Sequence, residues 1–199
     1  MMLTFTFPFV KTDARVRRLP EVKGGPSDLG DHLDQARKLL SGGNPEQALA
    51  VLSPYLSEDP VPAGVQLLAG RALYSMGRHH ESLIQLEAHV SQHPGSVEGL
   101  IFAGLAAARI RELARAINWF NGAALALSPR QRSLLKNLGA EIHPDPVALE
   151  EMMADAELNR GDRDLALVLA CALGQAGHFK AAERYLWVFD LAADEVSGE

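Results

Sequence analysis

The sequence predicts an all-α protein: a right-handed superhelix of about five helical hairpins, preceded by a short extended N-terminal arm. Three observations carry this. Apolar residues recur at helical spacing, as Val65, Leu68, Ala69, Ala72, Leu73 and Met76 show. Glycine and proline punctuate the chain on one period, Gly43 and Pro60 being followed thirty-four residues later by Gly77 and Pro94. The composition, 47% hydrophobic and 22% charged over 199 residues, is that of a folded chain long enough for one domain or a short repeat array.

The arm comes first. Phe5, Phe7 and Phe9 alternate with Thr4, Thr6 and Pro8, a period of two unlike the rest. Burying three phenylalanines yields about 5–9 kcal/mol at best. Ordering ten residues costs about 1–2 kcal/mol each, so the arm cannot hold itself: it is expected to contact its own body or a second copy, the alternative being a disordered tail. Residues 1–23 carry a formal +3 against −9 for the remainder. The segment does not read as a secretory signal, because its apolar part precedes Arg15, Arg17 and Arg18 instead of following them. Residues 1–26 are assigned to arm and linker, 27–195 to the repeat domain and 196–199 to a disordered tail.

The first hairpin turns at Gly43, where glycine accepts the left-handed backbone of a helix cap. Asn44 is the expected N-cap, Pro45 suits the first helical position and Gln47 completes a capping box. Ala48 is small where two helices approach, and Pro60 stops the second helix. The second hairpin turns at Gly77 and runs through Leu83, Leu86 and Val90 to Pro94. The third offers Leu100, Ala103, Gly104 and Ala107, then Ala116, Ile117, Phe120, Ala124 and Leu127. There Arg111 replaces the turn glycine, so this turn is expected to be built differently, and Pro129 arrives one residue late. Arg130–Gly161 reads as a degenerate hairpin, with Leu134, Leu135 and Leu138 in a short helix and Asp145 with Pro146 starting another. A clear copy follows from Asp162 to Glu195, with Leu169, Leu173 and Gly177, then Ala182, Leu186 and Phe189.

The order Gln66, Ala69, Gly70, Leu73, Ser82, Leu86, Pro94, and then Leu100, Ala103, Gly104, Ala107, Ala116, Phe120, resembles the tetratricopeptide repeat family. Tryptophan is absent from the leading position and Ser82 replaces an alanine. The resemblance implies that the first helix of each hairpin lines a concave groove. Its lining would be Leu33, Arg37 and Leu40; Leu67, Arg71 and Tyr74; Ile101, Phe102, Leu105 and Arg109; and Leu167, Val168 and Cys171. The partner-binding candidates are Leu33, Arg37, Leu67, Arg71, Tyr74, Ile101, Phe102, Leu105 and Arg109; those for self-association are Phe5, Phe7 and Phe9. The lysine- and asparagine-rich set with which some family members grip a chaperone's terminal carboxylate is missing, since Leu33, Leu67 and Leu68 stand there. An apolar groove with spaced arginines suits an extended or helical protein segment carrying a few acids, and resembles the secretion chaperones of bacteria built from such repeats. The same leucines would also serve as ordinary packing between hairpins or as a self-association surface.

Other chemistry is expected to be absent. A formal charge of −6 argues against a nucleic-acid partner. The lone Cys171 forms no internal disulfide and points to a reducing, cytoplasmic setting. No apolar run approaches the roughly 18 residues of a membrane span. His89 and His93, one turn apart, have metal-chelating spacing but no cysteine nearby, and read as solvated or inter-helix histidines, with His79 and His80 near the helix start. Cys171 lacks a basic neighbour to activate it. Glu150, Glu151, Asp155 and Glu157 read as a solvated face. No phosphate loop, dinucleotide fingerprint or Ser/His/Asp signature occurs, so the expectation is a non-enzymatic module without cofactor or metal, either capturing a protein segment or assembling as a homo-oligomeric scaffold.

Overall fold

The computed structural model describes residues 26–137, 153–154 and 162–192. The arm with Phe5, Phe7 and Phe9, the Asp145 cap, the acidic residues from Glu150 to Glu157 and the tail lie outside the described residues. Within them the elements are α1 (Pro26–Ser41), α2 (Pro45–Leu52), a 3-10 turn (Tyr55–Ser57), α3 (Ala63–Ser75), α4 (His79–Gln92), α5 (Val97–Arg109), α6 (Leu113–Ala126), α7 (Pro129–Asn137), α8 (Arg163–Gln175) and α9 (Phe179–Ala192). Four pairs, α1/α2, α3/α4, α5/α6 and α8/α9, form hairpins, and each second helix packs on the first helix of the next pair. This is the arrangement of a tetratricopeptide-type array. α1 also meets α9, so the ends of the array approach one another.

The four hairpin turns are the same turn. Gly43, Gly77, Arg111 and Gly177 all have φ between 68 and 82°. In each, the residue's N–H bonds a carbonyl three back, and the next N–H bonds one five back, as in Gly77 to Tyr74 at 2.9 Å with Arg78 to Leu73 at 2.9 Å. Arg111 to Ala108 at 3.1 Å and Glu112 to Ala107 at 2.9 Å repeat the pattern. The expectation of a differently built third turn is therefore corrected: the array imposes the left-handed cap even on a side chain that resists it. An L-residue in that region costs about 1–2 kcal/mol, and glycine gives back part of that through unfolded-chain entropy. Arg111→Gly is expected to stabilise the protein by about 0.5–1 kcal/mol, read as a higher denaturation midpoint at unchanged m-value.

Capping corrects a second expectation. Asn44 does stand at the N-cap of α2 with Pro45 behind it, but its side chain makes no cap bond; its Nδ2 donates to the Gly42 carbonyl at 2.8 Å. The reciprocal box forms instead at α7. Ser128 N–H donates to Gln131 Oε1 at 2.8 Å, and Gln131 N–H donates to Ser128 Oγ at 3.3 Å. Gln131 then donates through Nε2 to Asp164 at 2.7 Å, tying α7 to the start of α8. α2 ends at Leu52, short of Pro60, because Pro54 has no N–H to continue it.

Packing decides where the last hairpin goes. Residues Arg130–Gly161, expected as a hairpin within the array, contribute α7, which lies against α8; beyond it only Met153 and Ala154 are described, both helical. α8 packs directly on α6, so the α8/α9 hairpin stacks on α5/α6 without an intervening pair. Phe120 on α6 is the joint. A Cβ built on Gly104 would lie 2.8 Å from its ring, and one built on Gly174 of α8 only 2.2 Å away. The ring is thus enclosed between two backbones, with Phe179 stacked at 5.9 Å. Cys171 approaches the Phe120 carbonyl through its Sγ at 3.4 Å. Ile117, expected on the packed face, is instead partly exposed on α6.

A polar joint links the second and third hairpins. His89 of α4 is buried; its Nδ1 lies 2.8 Å from the Ala63 carbonyl and its Nε2 2.8 Å from Ser96 Oγ. Ser96 caps α5, accepting from Gly99 N–H at 3.2 Å. One tautomer satisfies every group: Nδ1–H donates to Ala63, while the Ser96 hydroxyl donates to Nε2 and accepts from Gly99. Of the two expected histidine readings, the inter-helix one is what the structure shows for His89. His93 stacks on it, centroids 5.5 Å apart and planes within 3°.

Candidate functional site

α5 is the centre of the array, and most of the residues expected to line a groove gather around it. Tyr74 from α3 meets Phe102 edge-on at 5.9 Å, and both join Ile101, Leu105 and Leu167 in one apolar cluster. These side chains are 0–6% exposed, because α5 is packed by α3, α4, α6, α8 and α9 together. Leu67 lies half-buried at the margin of that cluster. Val168 and Cys171 are fully buried as well, and burial pushes the Cys171 thiol up to about 12. It stays protonated and inert at neutral pH.

Charged groups close both ends of this face. At the N-terminal end of α5, Glu98 accepts from Arg71 of α3 at 2.8 Å and from Arg163 of α8 at 3.1 Å. Arg71 also lies over the Phe102 ring, 5.2 Å from its centroid. At the C-terminal end, Arg109 donates to the Tyr74 hydroxyl at 3.2 Å and pairs with Glu183 of α9. Burial raises the Tyr74 hydroxyl well above the usual phenol range, so it stays neutral beside Arg109. Each clamp therefore ties three hairpins together around one helix.

Leu33 and Arg37 belong elsewhere. Leu33 is half-buried in the separate cluster of α1 to α3, close against Gly64, and Leu40 is buried in that cluster. Arg37 is exposed and pairs with Asp34 on its own helix at 2.5 Å. The repeat register explains the contrast with Arg71. Arg71 finds Glu98 twenty-seven residues on, whereas the same step from Arg37 reaches Gly64.

The sequence reading missed Glu98, Arg163 and Glu183 as members of this surface. For Glu98 a signal was present: an acid at the second helical position of one repeat, facing an arginine midway along the preceding first helix. For Arg163 and Glu183 there was none, because their placement depends on the last hairpin stacking on α5. Among the described residues no group of three or more metal-ligating side chains is assembled, and no helix is long and apolar enough to cross a membrane.

The family model for the tetratricopeptide repeat matches residues 33–97 and, one repeat later, 67–132. Neither the curated proteins nor the solved structures yield a match. Repeats of this family generally mediate protein–protein interaction and are typically non-enzymatic. With the thirty-four-residue period, the repeated left-handed turn and the family match covering half of its length, this chain belongs to the tetratricopeptide repeat family.

Proposed function

We propose that the protein is a chaperone-like adaptor that captures a segment of a partner protein along the concave side of α1, α3 and α5. The observation that carries the reading is the convergence of Arg71, Tyr74, Ile101, Phe102, Leu105 and Arg109 on one face, with Leu67 half-buried at its margin. Apolar side chains would supply affinity and arginines orientation. Leu33 and Arg37 lie outside this convergence, on α1. The single cysteine and the bacterial secretion-chaperone resemblance support a cytoplasmic adaptor of bacterial type, and the acidic balance supports a protein rather than a nucleic-acid partner. Because Phe102 and Leu105 are core residues, the test uses Leu67→Glu, a marginal position. Affinity capture with wild type and Leu67→Glu is expected to recover a set of proteins that the variant loses, with equal circular dichroism; identical recovery refutes the groove.

The scaffold reading has its own support. Among the described residues, the exposed large apolar side chains lie on second helices: Ile84 at 62% on α4, and Leu113 at 53%, Ile117 at 36% and Leu125 at 81% on α6. Leu113 and Ile117 are four residues apart and share a face. If these surfaces and the Phe5, Phe7 and Phe9 arm assemble copies, sedimentation gives a defined oligomer. Leu113→Glu or deletion of residues 2–10 then shifts it to monomer. A concentration-independent monomer in wild type removes the scaffold.

A further inference from the structure

We infer that His79 makes the tie between α9 and the centre of the array sensitive to acid: a proton at its Nδ1 weakens the hold of α9 on α3 and α5. His79 opens α4 just after the second hairpin turn, with its ring 5.1 Å from that of Tyr74 on α3. Its Nδ1 is shut off from solvent and has no hydrogen-bond partner among the described residues. The groups that act on it come from each neighbouring element: Tyr74 from α3, His80 on its own helix, Arg109 from α5 and Glu183 from α9. Arg78 and Glu81, also at the start of α4, pair with each other at the surface. Arg109 donates to the Tyr74 hydroxyl at 3.2 Å and pairs with Glu183, so one guanidinium joins α3, α5 and α9. A neutral imidazole protonated on Nε2 presents only an unpaired acceptor at Nδ1. Protonation makes that atom a charged donor, buried, with nothing to accept from it. If the ring then turns to Glu183, the one acid of the group, it takes that acid from Arg109. If it stays, two cations share one carboxylate. Both outcomes weaken the same tie. The apolar holds on α9, Tyr185 and Leu186 in the central cluster and Phe179 stacked on Phe120, do not titrate in acid, so α9 loosens by degrees. Burial and then Arg109 hold the imidazole below its usual 6.5. A proton therefore binds more readily once α9 has loosened; the tie is complete above about pH 6.5 and weakens below it.

The test follows His79 and α9 separately in the unaltered full chain. The imidazole is titrated by NMR through its Cε1 proton, and amide exchange along α9 is measured over the same pH range and corrected for the intrinsic chemical rate. The His79 midpoint is expected below its usual 6.5. Protection of α9 is expected to fall about threefold to tenfold between about pH 7 and about pH 5.5, with the midpoint of His79, while protection of α1 and α2 changes less than about twofold. In His79→Gln, which cannot titrate, protection of α9 is expected to stay level across that range. Should that variant not fold, His79→Phe keeps a ring against Tyr74 and carries the same comparison. Protection of α9 that ignores pH, that falls equally in the variant, or that falls in step with α1 and α2 overturns the inference. A His79 midpoint at or above 6.5 overturns it too.

Discussion

Gly174→Ala is expected to destabilise the protein by about 2–3 kcal/mol, although alanine is the better helix former by about 1 kcal/mol. The new methyl would meet three atoms of the Phe120 ring at 2.2–2.4 Å. That ring cannot retreat, because the Gly104 backbone stands on its other side, where an added Cβ would be at 2.8 Å. The loss therefore comes from forcing α8 off α6. Phe120→Leu alone should cost about 1–2 kcal/mol through lost contact. In the Gly174→Ala background it should cost far less, or rescue, since a smaller side chain leaves room for the methyl. Urea denaturation of the two single variants and the double variant measures the coupling. Additive losses would mean that Phe120 and Gly174 are not the joint between these hairpins.

His89→Leu is expected to cost about 2–4 kcal/mol, because an apolar side chain of similar bulk leaves both the Ala63 carbonyl and the Ser96 hydroxyl without their partner. Nearby Gly99 cannot relieve the site by closing in: its own Cβ position lies 2.6 Å from the imidazole. The pH dependence has a definite sign. Burial holds the His89 imidazole below its usual 6.5, with stacked His93 acting in the same direction, while the Ala63 bond and Glu98 oppose it. His79 is lowered in the same way, by burial and then by Arg109. Below about pH 6.5 the unfolded chain thus binds protons that the folded one does not, so stability falls as pH drops toward the folded-state values and is unaffected by these groups well above 6.5. Thermal midpoints should decline from pH 7 to pH 5, and His89→Leu should decline less steeply. A steeper or equal slope in the variant would show that His89 is not buried neutral.

Much of this architecture was legible in the chain. The 3.6-residue periodicity of α3 and the spacing of Gly43 and Gly77 marked helices and turns, because a stacked hairpin must turn its apolar stripe inward and reverse at a fixed length. Gly70 and Gly104 were visible as small residues; that Leu86 and Phe120 fill the space they leave required coordinates. Arg111 misled for a physical reason. Propensity is local, whereas the left-handed turn is imposed by both flanking helices, whose burial outweighs about 1–2 kcal/mol of strain. The candidate site was only half readable. Arg71, Tyr74 and Phe102 could be placed on one side of the array, but their burial depends on what covers them.

The sequence alone determined that this is a repeat of helical hairpins with tetratricopeptide spacing, since period and backbone punctuation are properties of neighbouring residues. Tertiary structure decided that α8/α9 stacks directly on α5/α6, that Glu98 pairs with Arg71 and Arg163 and Glu183 with Arg109, and that His89 is a joint. Those outcomes depend on which distant surfaces meet, and a contact between residues 65 or 74 apart leaves no periodic trace in the chain.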